Sequence, residues 1–567
     1  MYSQDTIVNK EVEVIKAYQP SISEANKIYT SPKIVDTVRY TPVFDYKIES
    51  TLVPVTKSIQ NLPYVELGNP PKVKENRGYI KAGFGNALTP YGEFFLNTKP
   101  SKTTDFGIQL YHFSSSPKVK LDNGFKIKSP YSDDLASFFV KNYFRRAVLD
   151  WNVQYKRNRY NYYGFPGTDT LLYNDTESYS NTLNKKQVLN NASTSFNLHN
   201  IDLHSNFLYD VTLGYHYFWN ATGQKTHHGS YDGQYTISKR NYDIIIGSEF
   251  DYYYQDSILN PYTSDNSHQF MYAGLSPQIS LGKSNWNLDA GFNLSAIIDN
   301  DTSAIFHISP KIYFEYRPIK DILSLYAGSD GQLQTNDYQS MMEKNRYLSF
   351  YDEVKPSQQI IKLYGGVKGK FSHNISFVFD VGYSINSNNP FYYLEQINYQ
   401  GTSSLLSNLF DVKYADVNTL KFGGNIRYSS DNVTVSLKGN YYSYNSSDNI
   451  TLTNMPSFDA GLDIMAQITN KIKCRVNTTV VGPRKAELEV KTYMIDPISQ
   501  LYTAPVITTD IHDLKTIIDI NAGADYLFRK NISFSLDVKN LLNQNYQIWD
   551  GYNTQGILFL VGARYTF

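Results

Sequence analysis

A two-residue period that returns along most of this chain limits the folds open to it. Over residues 532–538, Ile532, Phe534, Leu536 and Val538 alternate with Ser533, Ser535 and Asp537. An extended strand therefore puts every apolar group on one face and every polar group on the other. The same alternation holds over 207–217, 375–385, 433–441 and 518–528. These runs last roughly 10 to 15 residues, against about 5 to 6 for the usual soluble strand. About 9 to 11 residues suffice for a tilted strand to cross a bilayer. A soluble propeller also alternates, but its blades repeat every roughly 40 to 50 residues with their own signatures, and no such repeat is present.

The connections sharpen this. Short polar turns fall at 202–205, 238–241, 282–285, 318–321, 372–374, 430–432, 470–471 and 529–531. Between them lie longer ones, around 219–228, 254–267, 297–304, 334–357, 398–407, 445–456 and 484–513, then 543–555. Tight turns at one end and long loops at the other mark an outer-membrane barrel, with the turns periplasmic and the loops extracellular. Counting with that parity predicts an all-β, transmembrane, antiparallel up-and-down barrel of about 22 strands over 79–567. Early strands are read near 79–86, 91–97, 104–113, 137–145 and 147–158. Residues 1–78, broken by Pro20, Pro32, Pro42, Pro54, Pro63, Pro70 and Pro71, read as a mostly irregular periplasmic or lumenal tail. The opening Met1-Tyr2-Ser3 lacks a signal-peptide core, so the numbering is read as that of a mature chain after signal-peptide removal.

Composition supports the assignment by exclusion. Mean hydropathy is −0.42 and no run approaches the roughly 18 to 20 apolar residues of a membrane helix. With 53 basic and 53 acidic residues there is no cationic excess for nucleic acid. The lone Cys474 rules out an intrachain disulfide and a cysteine zinc site. The 85 aromatic residues, in clusters such as Tyr252-Tyr253-Tyr254 near predicted strand ends, suit the membrane interface, where outer-membrane lipid is the expected partner.

No Gly-x-Ser-x-Gly, phosphate-loop or His-Glu-x-x-His pattern occurs, so no enzyme, cofactor or metal site is predicted. His227 and His228 are placed in an extracellular loop as a solvated pair. His216, His307, Lys311 and Glu315 are placed on the polar, lumen-facing side, where such groups wet the interior.

The last strand puts Ile557, Phe559, Val561, Ala563, Tyr565 and Phe567 on one face and Gly562 on the other. Gly562, Tyr565 and the terminal Phe567 resemble the signal read by the outer-membrane barrel assembly machinery, implying that partner during biogenesis. Residues 531–543, with Asn540-Leu541-Leu542-Asn543, then Tyr546 and Gly556, resemble the C-terminal region of TonB-dependent receptors, 22-stranded barrels normally filled by an N-terminal plug. The resemblance implies an outer-membrane transport barrel. Residues 1–78 are too few for that plug, so the chain is read as plug-less. Within them Val12, Glu13, Val14 and Ile15 resemble the TonB box, a strand offered to a periplasmic partner.

Three functions stay open. The chain is a passive or gated channel whose long loops 158–190, 334–357 and 484–513 fold inward. Alternatively it is a structural subunit of a secretion, barrel-assembly or surface-lipoprotein machine, with periplasmic or lipoprotein partners on the tail and the lumen closed by a partner. The third is TonB-dependent nutrient uptake with a non-standard plug.

Overall fold

A computed structural model describes residues 77–98, 103–122, 124, 126–164, 186–202, 204–256, 267–299, 304–349, 354–399, 405–446, 450–495 and 503–567. The readings of a TonB-box strand at Val12–Ile15 and of a tail over 1–78 lie outside these residues, apart from Arg77 and Gly78.

The described strands form one closed antiparallel barrel. Its sheet contains 24 strands, but two of them, Arg484–Tyr493 and Val506–Leu514, leave the wall as a hairpin, and Ile472–Val481 pairs directly with Ile517–Arg529 beneath them. Twenty-two remain in the wall, as the parity count predicted. The first strand, Gly78–Gly85, closes the circuit on the last, Leu558–Thr566, with Tyr79 opposite Thr566 and Gly85 opposite Leu560. Phe567 completes the seam: its carbonyl accepts from the amides of Arg77 at 2.6 Å and Gly78 at 3.2 Å, and its own amide donates to Gly78 O at 3.0 Å. No unpaired edge is left in the wall.

The alternation sorts the wall into two faces. On Ile305–Ile319, Phe306 and Ile308 are 75% and 71% exposed, while His307 and Ser309 between them are 4% and 1% exposed. Outward apolar groups of this kind recur around the barrel, among them Phe84, Leu213, Phe250, Leu363, Leu437 and Val561. This is an apolar belt facing outward over a polar interior. Exposed Tyr242, Tyr316, Tyr428, Tyr526 and Tyr565 all stand within a few residues of the short-turn rim, a tyrosine girdle where ring and hydroxyl meet different solvents.

Three sequence expectations need correction. The connection expected over 219–228 is only a four-residue turn between Phe207–Asn220 and Lys225–Ser238, set by Gly223 at φ 94° and by Asn220, whose side chain accepts from the amides of Thr222 and Gln224. His227 and His228 are therefore wall residues, opposite Tyr217 and His216, rather than loop residues. The strand expected near 137–145 runs over Tyr131–Tyr143. The stretch read as a long loop over 484–513 is the paired hairpin.

Candidate functional site

Most of the buried apolar residues gather above the wall, at the long-loop rim, rather than within it. The largest cluster draws Val119 and Leu121 from the 116–130 connection, Tyr160 from the end of strand Ala147–Asn161 with Tyr162 and Tyr163 just past it, Met341, Met342 and Leu348 from 335–356, Leu488 from the hairpin, and Trp549 and Tyr552 from 540–557. Met341, Met342 and Leu348 are wholly buried.

The roots of these loops make the geometry informative. Tyr163 follows the fifth wall strand, Tyr347 the thirteenth and Tyr552 the twenty-first, so their anchors are spread around the whole circumference. A 22-strand wall is roughly 40 Å across. Yet the three rings meet, at centroid distances of 6.2 Å for Tyr163–Tyr347, 5.1 Å for Tyr163–Tyr552 and 3.5 Å for Tyr347–Tyr552. Loops from three sides of the mouth must cross it to do this.

Each arm has local reasons for its shape. In 335–356 a short helix, Tyr338–Lys344, starts at Asp337, whose side chain accepts from the Ser340 amide at 3.0 Å while Ser340 Oγ takes the Asp337 amide, a reciprocal cap. The helix buries Tyr338, Met341 and Met342. In 540–557, Asn540 and Asn543 hold the left-handed region, at φ 50° and 48°. Asn540 Nδ2 donates to the carbonyls of Gln544 at 2.9 Å and Gln555 at 3.1 Å, and Asn543 Oδ1 accepts from the Ile557 amide at 2.9 Å. The Asn-Leu-Leu-Asn motif thus shapes this loop, with Leu541 and Leu542 outward. Tyr546 O accepts from the Thr554 amide at 2.8 Å.

The hairpin supplies the crossbar. Strand Ile375–Tyr399 has 25 residues, far more than its membrane crossing requires. Its end pairs in parallel with the hairpin, Leu394 beside Leu488. Lys413 Nζ bridges Glu487 and Glu489 at 2.6 Å each, and Lys491 pairs with Glu395. Arg484, 1% exposed, donates to the carbonyls of Ile548, at 2.7 Å, and Gln547, tying the hairpin to the 540–557 loop. His512 Nε2 lies 3.0 Å from Asp550 Oδ1, and that hydrogen bond holds the imidazole above its ordinary pKa. Asn553 Nδ2 reaches Lys120 O at 2.9 Å and Asp122 Oδ1 at 2.8 Å. Burial pushes the phenols of Tyr162 and Tyr163 well above their usual range.

Each large apolar side chain buried here contributes roughly 1.5 to 3 kcal/mol. Complete opening of the cap, freeing several at once, therefore costs on the order of 10 kcal/mol and is rare without a driving interaction.

The wall residues singled out from sequence sit elsewhere. His307, Lys311 and Glu315 share the face opposite Phe306 and Ile308, four residues apart along one strand. His307 Nδ1 accepts from Gln358 Nε2 at 2.6 Å, and Glu315 meets Lys368 at 3.1 Å, Arg317 at 3.2 Å and the Tyr313 hydroxyl at 2.9 Å. His216 is five strands away, stacked on His228 with centroids 5.2 Å apart. These four do not form one site. Among the described residues no group of three or more His, Cys, Asp or Glu is placed to hold a metal ion.

No family model and no curated protein matches the sequence. Solved structures do. The copper transporter OprC aligns over 87% of this chain and 80% of its own at 12% identity, with a TM-score of 0.63. The FrpB iron transporter from Neisseria meningitidis aligns over 87% and 82% at 9% identity, with a TM-score of 0.63. The siderophore receptor PirA from Acinetobacter baumannii aligns over 87% and 81% at 10% identity, with a TM-score of 0.64. The chain has the barrel fold of TonB-dependent receptors. At these identities the likeness is one of fold, and the proteins that share this receptor-type barrel are named as transporters and receptors.

The residues that build the cap of this receptor-type barrel were largely missed in the sequence. One signal is present: Ala486, Leu488 and Val490 alternate with Glu487, Glu489 and Lys491 inside the expected 484–513 loop.

Proposed function

We propose that this chain is an outer-membrane transport barrel in which the loop cap, rather than a folded plug, gates the passage of small solutes. The meeting of Tyr163, Tyr347 and Tyr552 across the mouth supports the reading, because it brings the chain's own loops together over the long-loop end. The proline spacing of 1–78 supports the plug-less part of the proposal, with Val12–Ile15 offered to a periplasmic partner as a strand. Gly562, Tyr565 and Phe567 are proposed as the assembly signal.

The test is influx of a small uncharged sugar into proteoliposomes. The wild-type chain should admit it slowly, and an Arg484→Ala, Leu488→Asp variant, with its hairpin undocked, should admit it many times faster. Equal exclusion by both would overturn the reading.

A second reading, a structural subunit, is favoured by the outer hairpin strand Val506–Leu514. Among the described residues it pairs on one side only, and Val506, Ile507 and Ile511 are about half exposed, so a partner strand has an edge to join. Purification from native membranes with a stable stoichiometric partner would favour it over the first.

A further inference from the structure

The interior face of the wall is unevenly charged. Five consecutive strands, from Phe207–Asn220 to Trp286–Asp299, carry Lys225 and Lys283 at strand ends and no other lysine or arginine. On their inward face stand Asp210, Asp232, Asp243, Glu249, Asp251 and Asp289, opposite the outward Leu213, Phe250, Tyr252 and Phe292. The next six strands reverse the balance, with Lys311, Lys362, Lys368, Lys421, Arg427 and Lys438 inward and fewer acids. Along these eleven strands the lumen wall therefore presents an acidic arc beside a basic arc.

Two features of the acidic arc go beyond composition. Asp232 and Glu249 face each other directly in the ladder, an arrangement that is destabilising for two like charges. The residue beyond Glu249 is Gly274, with the Tyr272 side chain lying against it; the Tyr272 hydroxyl donates to Glu249 Oε2 at 3.2 Å and the charge of Lys311 reaches Glu249, but neither acid is in an ion pair with lysine or arginine among the described residues. Farther down, Asp243 and Asp289 flank Ser280 on adjacent strands. Asp289 is 2% exposed; its Oδ2 accepts from Asn287 Nδ2 at 3.2 Å, and its Oδ1 has no hydrogen-bond partner. A buried, unsatisfied carboxylate oxygen costs roughly 1 to 3 kcal/mol or more. In the basic arc, by contrast, Glu315 and Asp380 are matched by Lys368 and Lys421.

We propose that the acidic arc is a lane for cationic solutes, with small polyamine-like cations as the substrate class. A mobile cation supplies the counter-charge that no lysine or arginine ion pair provides where Asp232 and Glu249 face each other. Walls lined by one sign of charge concentrate the opposite ion, the logic of acid-lined cation pores. The proposal rests on the transport reading for its biological sense, but its physical content is testable without passage.

The experiment is equilibrium binding of spermidine to the detergent-solubilised full chain at pH 7.5 and low salt, read by calorimetry. The wild type should bind, with affinity falling as sodium chloride rises. Asp232→Asn, Glu249→Gln, Asp289→Asn should weaken binding severalfold or abolish it, and Lys362→Gln, Lys438→Gln should not. Because the acid variant removes repulsion, it should fold at least as well as the parent, checked by heat-modifiable gel mobility. Failure of the wild type to bind, or equal binding by the acid variant, would overturn the lane whatever the sugar-influx result. Spermidine binding with no sugar influx in any variant would leave the lane standing and remove the gating.

Discussion

The rings of Tyr347 and Tyr552 stack 3.5 Å apart at 16°, although the strands that carry their loops are rooted eight places apart around the wall. A contact of that kind forms only above the lumen, and the behaviour of the cap follows from it.

Gly164 lies so close to Tyr552 that a Cβ there would overlap the ring. Gly164→Ala should therefore displace the ring and loosen the junction, at about 1 to 3 kcal/mol, the usual size of an overpacking penalty. Hydrogen exchange should show faster exchange in 540–557 while the wall strands keep their protection. Unchanged exchange would mean that this contact does not hold the cap.

The Lys413 bridge to Glu487 and Glu489 is half-buried and charge-assisted at both ends. Removing one partner of such a pair leaves uncompensated charge. Lys413→Met should therefore disturb hairpin docking more than Glu487→Gln, Glu489→Gln, Lys413→Met, in which all three charges are gone. Proteolysis of the hairpin in the intact barrel ranks the variants, and the reverse order would contradict this account.

Docking should also depend on pH. His512 is raised above its ordinary pKa chiefly by its hydrogen bond to Asp550, with Asp510 and Asp513 adding in the same direction. A raised value means the docked hairpin favours the protonated ring. The contribution is therefore whole below about pH 6.5, the unperturbed value, and is lost as pH rises through the docked-state value. Exchange protection of 506–514 should be greater at pH 6 than at pH 8, and Asp550→Asn should flatten the difference.

Phe567 supplies the last hydrogen bonds of the seam, to Arg77 and Gly78. Deleting it should lower the yield of heat-modifiable, folded barrel in the outer membrane far more than it lowers the amount of chain synthesised. Undiminished folding would show that neither the seam nor an assembly signal depends on this residue.

The wall was legible because most strands follow one local rule, apolar outward and polar inward, and because short turns punctuate it. The cap was not, since its contacts join residues as far apart as Tyr163 and Tyr552, with no period linking them. His227 and His228 misled for a related reason: near the rim, Lys225–Ser230 is polar on both faces, and a strand outside the hydrocarbon looks like loop. The Asn540–Asn543 motif was recognisable by resemblance alone; its physical reason, two left-handed asparagines shaping the loop, needed the backbone.

Single-channel recording in planar bilayers tests the central claim most directly, comparing the wild-type chain with Tyr163→Ala, Tyr347→Ala, Tyr552→Ala. The account predicts rare, brief openings for the wild type and sustained, large conductance for the triple variant. Equal conductance in the two, whether open or silent, would contradict it.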